Sequence, residues 1–165
     1  MRGMNAACET VARQALLDAI MQRAADQLGD ITPQVYARFD ARFPEGRATF
    51  DTLHPGGRAT LQGSMVEQSL YCLMEWLGSP GEIEIVLLGT VPHHADTLNV
   101  PPELFTGLLD AVAATVADTI PPENVDERAL WNAIRADLTG VIGEAAQFTR
   151  AALSGCPHAV ATGFP

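Results

Sequence analysis

Four histidines, three cysteines and a few buried-type polar residues carry whatever chemistry this chain can do. His54 and His158 each stand beside a proline, whereas His93 and His94 are adjacent, between an apolar segment and a Pro-initiated helix. A neutral imidazole can hold a transition metal through one ring nitrogen while the other nitrogen is bonded elsewhere. A histidine pair taken alone is more often a solvated loop feature than a ligand, so the surroundings decide. Cys8, Cys72 and Cys156 form an odd, scattered set without a CxxC, which signals neither a disulfide framework nor a zinc site.

The elements that must position these residues read as helices, because apolar residues recur at helical spacing and period-two alternation is nearly absent. A helix over roughly 9–28 carries Val11, Ala15, Ile20 and Ala24 on one stripe and ends at Gly29. Thr32 caps a second helix with Pro33 in its first turn; its apolar face is Val35, Tyr36, Phe39 and Phe43, and Pro44 stops it. After the breaker cluster His54-Pro55-Gly56-Gly57, a third helix runs from about Arg58 to Leu77, with Leu61, Met65 or Val66, Leu70, Leu73 and Leu77 inward. Residues 83–98 fit either a short strand or a buried helix, and Pro92 predicts an interruption there. Phe105, Leu108, Leu109, Val112, Val116 and Ile120 mark a long helix from Pro102 to the Pro121-Pro122 stop. The last helix, about Glu123–Leu153, turns Val125, Leu130, Ile134, Leu138, Val141, Ala145 and Phe148 inward, with residues 154–165 as a tail. One all-α domain over 1–153, of six to eight helices, is the expectation.

The 165 residues are 47% hydrophobic and 18% charged, a globular composition. The formal charge is −10, which disfavours a phosphate backbone as partner. All ten basic residues are Arg, and the negative excess lies entirely beyond Arg58. The anionic second half suits a basic partner or plain solubility. No run approaches the roughly 18 apolar residues of a membrane span, and Glu9, Arg13 and Asp18 break up any signal-type stretch. A soluble cytoplasmic protein is expected.

Counting outward from His94 raises its standing. A branched apolar residue, Val100, follows six positions on, and then Pro101-Pro102 opens the next long helix. Upstream, Pro44 is followed six residues later by Phe50, Gln62-Gly63 is followed by Val66, and Tyr36 stands eight residues before Pro44. In this order and spacing the chain resembles the globins over about residues 10–150, and bacterial-type single-domain globins and flavohaemoglobin haem domains most of all. The resemblance implies a globin-like fold around haem b (iron protoporphyrin IX), with His94 as the iron ligand and the opposite position open to O2, NO or CO. Phe39, Phe50, Val66, Leu70, Val100, Phe105 and Leu109 would line the slot. Tyr36 and Gln62 would be the two hydrogen-bond donors beside the gas. Arg47, Arg58 and His54 are the candidates for the propionates. His93 is a second register for the ligand, since a one-residue slip on a helix turns the side chain by about 100°.

Departures from the family pattern yield further expectations. The stretch from Gln62 to His94 is long, which points to an inserted turn around Gly78–Glu84. The stretch from Phe50 to Gln62 is too short for the small helix often found there. Pro92 would begin the helix carrying His94, and Thr90 would then accept the second ring N–H of His94 through its carbonyl or hydroxyl, fixing the tautomer. Phe105 stands where flavohaemoglobins place a tyrosine, and Glu144 is the candidate for their supporting glutamate. Reversible O2 binding is the function implied. NO dioxygenation would need an external reductase, because the chain ends before flavin and nicotinamide domains, and a haemless globin-fold interaction module is the third reading. Cys156-Pro157-His158 resembles Cys-Pro motifs of regulatory haem binding, beside its plainer reading as a disordered end.

Overall fold

Among the described residues six helices are long enough to bury a face each: α1 Arg2–Leu28, α2 Thr32–Arg42, α3 Arg58–Glu75, α4 Pro80–Leu98, α5 Pro102–Ala117 and α6 Val125–Ser154. The computed structural model describes residues 2–46, 48 and 56–154, and side chains over 8–46, 48 and 56–147. Among the described residues there is no strand, so the chain is all-α. The expected tail residues 155–165, together with Arg47, Phe50, His54, Cys156 and His158, lie outside the described residues, and so does the side chain of Phe148.

The most apolar helix, α5, sits at the centre. It buries Leu104, Leu108, Leu109, Val112, Ala113 and Val116, a set that covers most of its circumference, as a helix enclosed by neighbours requires. α2, α3 and α6 pack against α5, and α4 and α1 pack against α6. One apolar cluster runs through all six helices, from Leu17 and Ile20 on α1 to Trp131, Ile134 and Leu138 on α6. The Trp131 indole N–H donates to the carbonyl of Ala113 at 2.9 Å, which ties α6 to α5 while meeting the polar demand of a buried indole. Arg23 on α1 grips Glu127 on α6 with two bonds, of 2.6 and 2.9 Å.

Helix ends follow local chemistry. Gly29 adopts φ +60° and closes α1, a left-handed conformation that costs glycine least. α2 starts at Thr32 with Pro33 next to it, but the capping group is the side chain of Asp30, which accepts the Thr32 N–H at 2.9 Å. Residues 44–46 are helical again, starting at Pro44.

Four expectations change. α1 begins at Arg2 rather than near residue 9, and its buried face is Leu17, Ile20 and Ala24, with Val11 69% exposed. Val125 is 66% exposed, because the inward stripe of α6 begins at Leu130. The ambiguous stretch belongs to a helix, α4, that starts at Pro80 and runs straight through Pro92. Ile83, Leu87 and Val91 recur every four residues and are buried against the core, and that burial outweighs the one backbone bond a proline removes, a cost of about 3 kcal/mol. The inserted turn therefore lies at Trp76–Ser79, where Gly78 and Ser79 donate to the Glu75 carbonyl and close α3.

Candidate functional site

His94 is held by its own helix from two directions. Thr90 lies one turn before it on the same face of α4, and the His94 Nδ1 is 2.9 Å from the Thr90 carbonyl oxygen. A carbonyl only accepts, so Nδ1 carries the hydrogen and the neutral ring keeps its lone pair on Nε2. At the other end the His94 carbonyl accepts the backbone N–H groups of Asn99 and Val100, the latter at 3.1 Å. Asn99 adopts φ +53° to make this cap, a left-handed conformation that asparagine tolerates better than most residues. Pro101 then extends the chain, and α5 brings Phe105 edge-on to the imidazole with centroids 5.3 Å apart. His94 is half-buried, Val100 and Leu109 are buried, and Phe105 is packed against the same cluster.

His93 differs on each count. It is exposed, and its Nδ1 lies 3.3 Å from the Thr97 hydroxyl. Its ring is nearly perpendicular to that of His94, with centroids 5.8 Å apart. Of the tandem pair, His94 is the one with an apolar neighbourhood and a fixed tautomer.

The second set of residues comes together between α2 and α3. Tyr36 is 5% exposed, packs edge-on to Phe39 at 5.9 Å and directs its hydroxyl toward the Met65 sulfur at 3.7 Å. Burial, reinforced by the Asp40 carboxylate, pushes the phenol well above its ordinary range, so Tyr36 is a neutral donor at any working pH. Gln62 and Val66, one turn apart on α3, border with Tyr36 a cleft of about 730 Å³. Ala24, Ala25 and Met21 of α1, the Gly29–Pro33 turn, Leu70 of α3 and Val116 of α5 complete its walls. The described lining of this cleft contains none of His94, Val100 or Phe105. The globin resemblance implies a close helix crossing at Gly63, but a Cβ there would meet nothing within 4 Å.

Of the proposed propionate partners, Arg58 is described, and its guanidinium lies 3.6 Å from Asp40 Oδ2. The other oxygen of Asp40 is buried and finds no hydrogen bond among the described residues. Arg58 is thus partly neutralised by α2. Sequence reasoning missed Asp40, whose place one turn after Tyr36 was the available signal. Glu144 is exposed on α6, and the Nδ1 of His94 is bonded to the Thr90 carbonyl.

A porphyrin iron requires one nitrogen donor with a free lone pair and apolar walls beside it. The tautomer of His94 supplies the first, and Phe105, edge-on to the imidazole, supplies the start of the second. No three His, Cys, Asp or Glu side chains among the described residues are grouped to hold a bare ion. Comparisons of the chain with family models, with curated proteins and with solved structures give no match.

Proposed function

We propose that the chain forms one globin-like domain over residues 1–153 that binds haem b through His94 and reversibly binds O2 there. The observation that carries this reading is the 2.9 Å bond between His94 Nδ1 and the Thr90 carbonyl. It leaves Nε2 as the metal-binding nitrogen and stiffens the ring, as metal-ligating histidines require of their outer partner. When bound, haem supplies an iron with one coordination position open to a diatomic gas. Phe105 shields the edge of the imidazole, Val100, Leu109 and Phe39 would extend the apolar slot, and Tyr36 of α2 and Gln62 of α3 would be the two donors to the gas. Arg47 and Phe50 complete the set in this proposal. A neutral carbonyl rather than the exposed Glu144 supports His94, which favours reversible O2 binding over NO turnover with an external reductase.

One observation favours a haemless interaction module instead: the cleft of about 730 Å³ lies on the Tyr36 side and its described lining does not reach His94. Titrating the purified protein with ferrous haem separates the two readings. Saturation at one haem per chain, with a Soret band that shifts under CO and again under O2, is the expected result. A spectrum no different from free haem overturns the proposal.

A further inference from the structure

The cleft between α1 and α3 has a polarity of its own. Its inner wall is Ala24, Val66, Leu70 and Val116, and its rim carries two acids, Asp30 and Glu67, with no Arg among its described lining. Asp30 is exposed, and the Thr32 backbone amide and hydroxyl hold its carboxyl below the usual carboxylate range. Glu67 is exposed and makes no ion pair among the described residues. The Gln62 carboxamide on the same wall is half-buried and borders the cleft. A volume of about 730 Å³ is that of a small-molecule site, roughly 300–1,000 Å³.

We propose that this cleft binds a small organic amine with an apolar body. The ammonium sits at the Asp30–Glu67 rim, the apolar body lies on Ala24, Val66, Leu70 and Val116, and Gln62 bonds a polar group at the inner end. An anionic amphiphile of the same shape would meet two carboxylates and no cation. The cleft shares Gln62, Val66 and Leu70 with the pocket proposed above for haem, but none of its contacts to the amine requires haem, so the probes are titrated into haem-free protein.

A matched set of probes tests it: 1-naphthylmethylamine, 1-naphthylmethanol and 1-naphthylacetate, titrated into the purified full chain by calorimetry and ligand-observed NMR at pH 7. Two exposed charges, each contributing modestly, should make the amine bind about ten-fold tighter than the carboxylate at low salt, with the alcohol between them. Asp30→Asn with Glu67→Gln should bring the three probes together without lowering the affinity of the alcohol, because the new carboxamide at the first position keeps an oxygen to cap α2. Gly63→Leu, which fills open space in the wall, should abolish binding of all three, and Ala59→Leu at the exposed edge serves where the first variant fails to fold. Tighter binding of 1-naphthylacetate, amine affinity unchanged by the paired substitution, binding that survives both filling variants, or no saturable binding would each overturn the proposal. Haem uptake by the unsubstituted chain, read separately as the Soret band, tests the reading on His94 without bearing on the probes.

Discussion

Two glycines, Gly107 on α5 and Gly63 on α3, mark opposite styles of construction. A Cβ at Gly107 would overlap the ring of Phe43, whereas one at Gly63 would meet nothing within 4 Å. Gly107 lies where α2 meets α5, and there the aromatic ladder Phe39–Phe43, with centroids 5.4 Å apart, is pressed against the central helix. Gly63 lies where α3 faces α1 across the cleft, with little direct contact between the two helices. Close packing in the first region fixes Phe39 and the end of α2, the surface against which a rigid ligand would be held. Loose packing in the second leaves room for something that comes and goes. The same small residue thus serves contact in one place and space in the other, and only its neighbours distinguish them.

The largest effect belongs to the packed side. His94→Gly should abolish the 1:1 Soret spectrum of the haem-titrated protein, and added imidazole should restore it in part, whereas His93→Gly should leave it unchanged. Equal loss from both substitutions would move the ligand assignment off His94. Gly107→Leu comes next: with the Phe43 ring displaced, overpacking of this kind costs about 1–3 kcal/mol, measurable by urea denaturation. Unchanged stability would mean that the α2–α5 contact yields to a side chain that its geometry excludes.

On the cleft side, effects appear in kinetics rather than in stability. Tyr36→Phe combined with Gln62→Leu removes two donors, each contributing roughly 0.5–1.5 kcal/mol. The O2 off-rate of the haem-loaded protein should therefore rise about ten- to a hundred-fold, read by stopped flow. An unchanged rate would assign the two residues to the cleft alone.

Much of this contrast is legible in the sequence, though unevenly. The order of helices follows from apolar spacing and from Gly29, Pro44 and Pro121-Pro122, because those residues act through the local backbone. The Thr90 carbonyl is reachable for the same reason, being one helical turn from His94. Depth is not legible. Val11 and Ala15 share a plausible stripe with Ile20, yet both are exposed, since a stripe gives a direction and not the length of the partner that covers it. Pro92 misleads because the rule against proline weighs one helix alone, while α4 is held by Ile83, Leu87 and Val91 against the core. Asp30 rather than Thr32 caps α2, and either residue fits the capping preference.

The tie between α1 and α6 bears on the cleft because it sets where α1 stands. Hydrogen bonds from Arg23, and secondarily from Asn124, hold the Glu127 carboxyl below its usual range. A depressed folded value means that this stabilisation is present above the unfolded pKa of about 4.5 and is lost as pH falls through the folded one. Glu127→Gln should lower the melting temperature near pH 7 by roughly 2–4 °C and shrink that difference toward pH 3. A difference constant over this range would show that the pair acts by packing and not by charge.

The smallest effect separates the two glycines most cleanly. In an α-helix interior, glycine is less favourable than alanine by roughly 0.5–1 kcal/mol because it loses more backbone freedom on folding. At Gly63 nothing opposes a methyl group, so Gly63→Ala should stabilise the protein by about that amount, read as a raised denaturation midpoint at constant slope. If another helix instead closed on α3 at this position, the same substitution would destabilise. The sign of one small change therefore decides whether the gap between α1 and α3 persists in solution or is closed by the helices themselves.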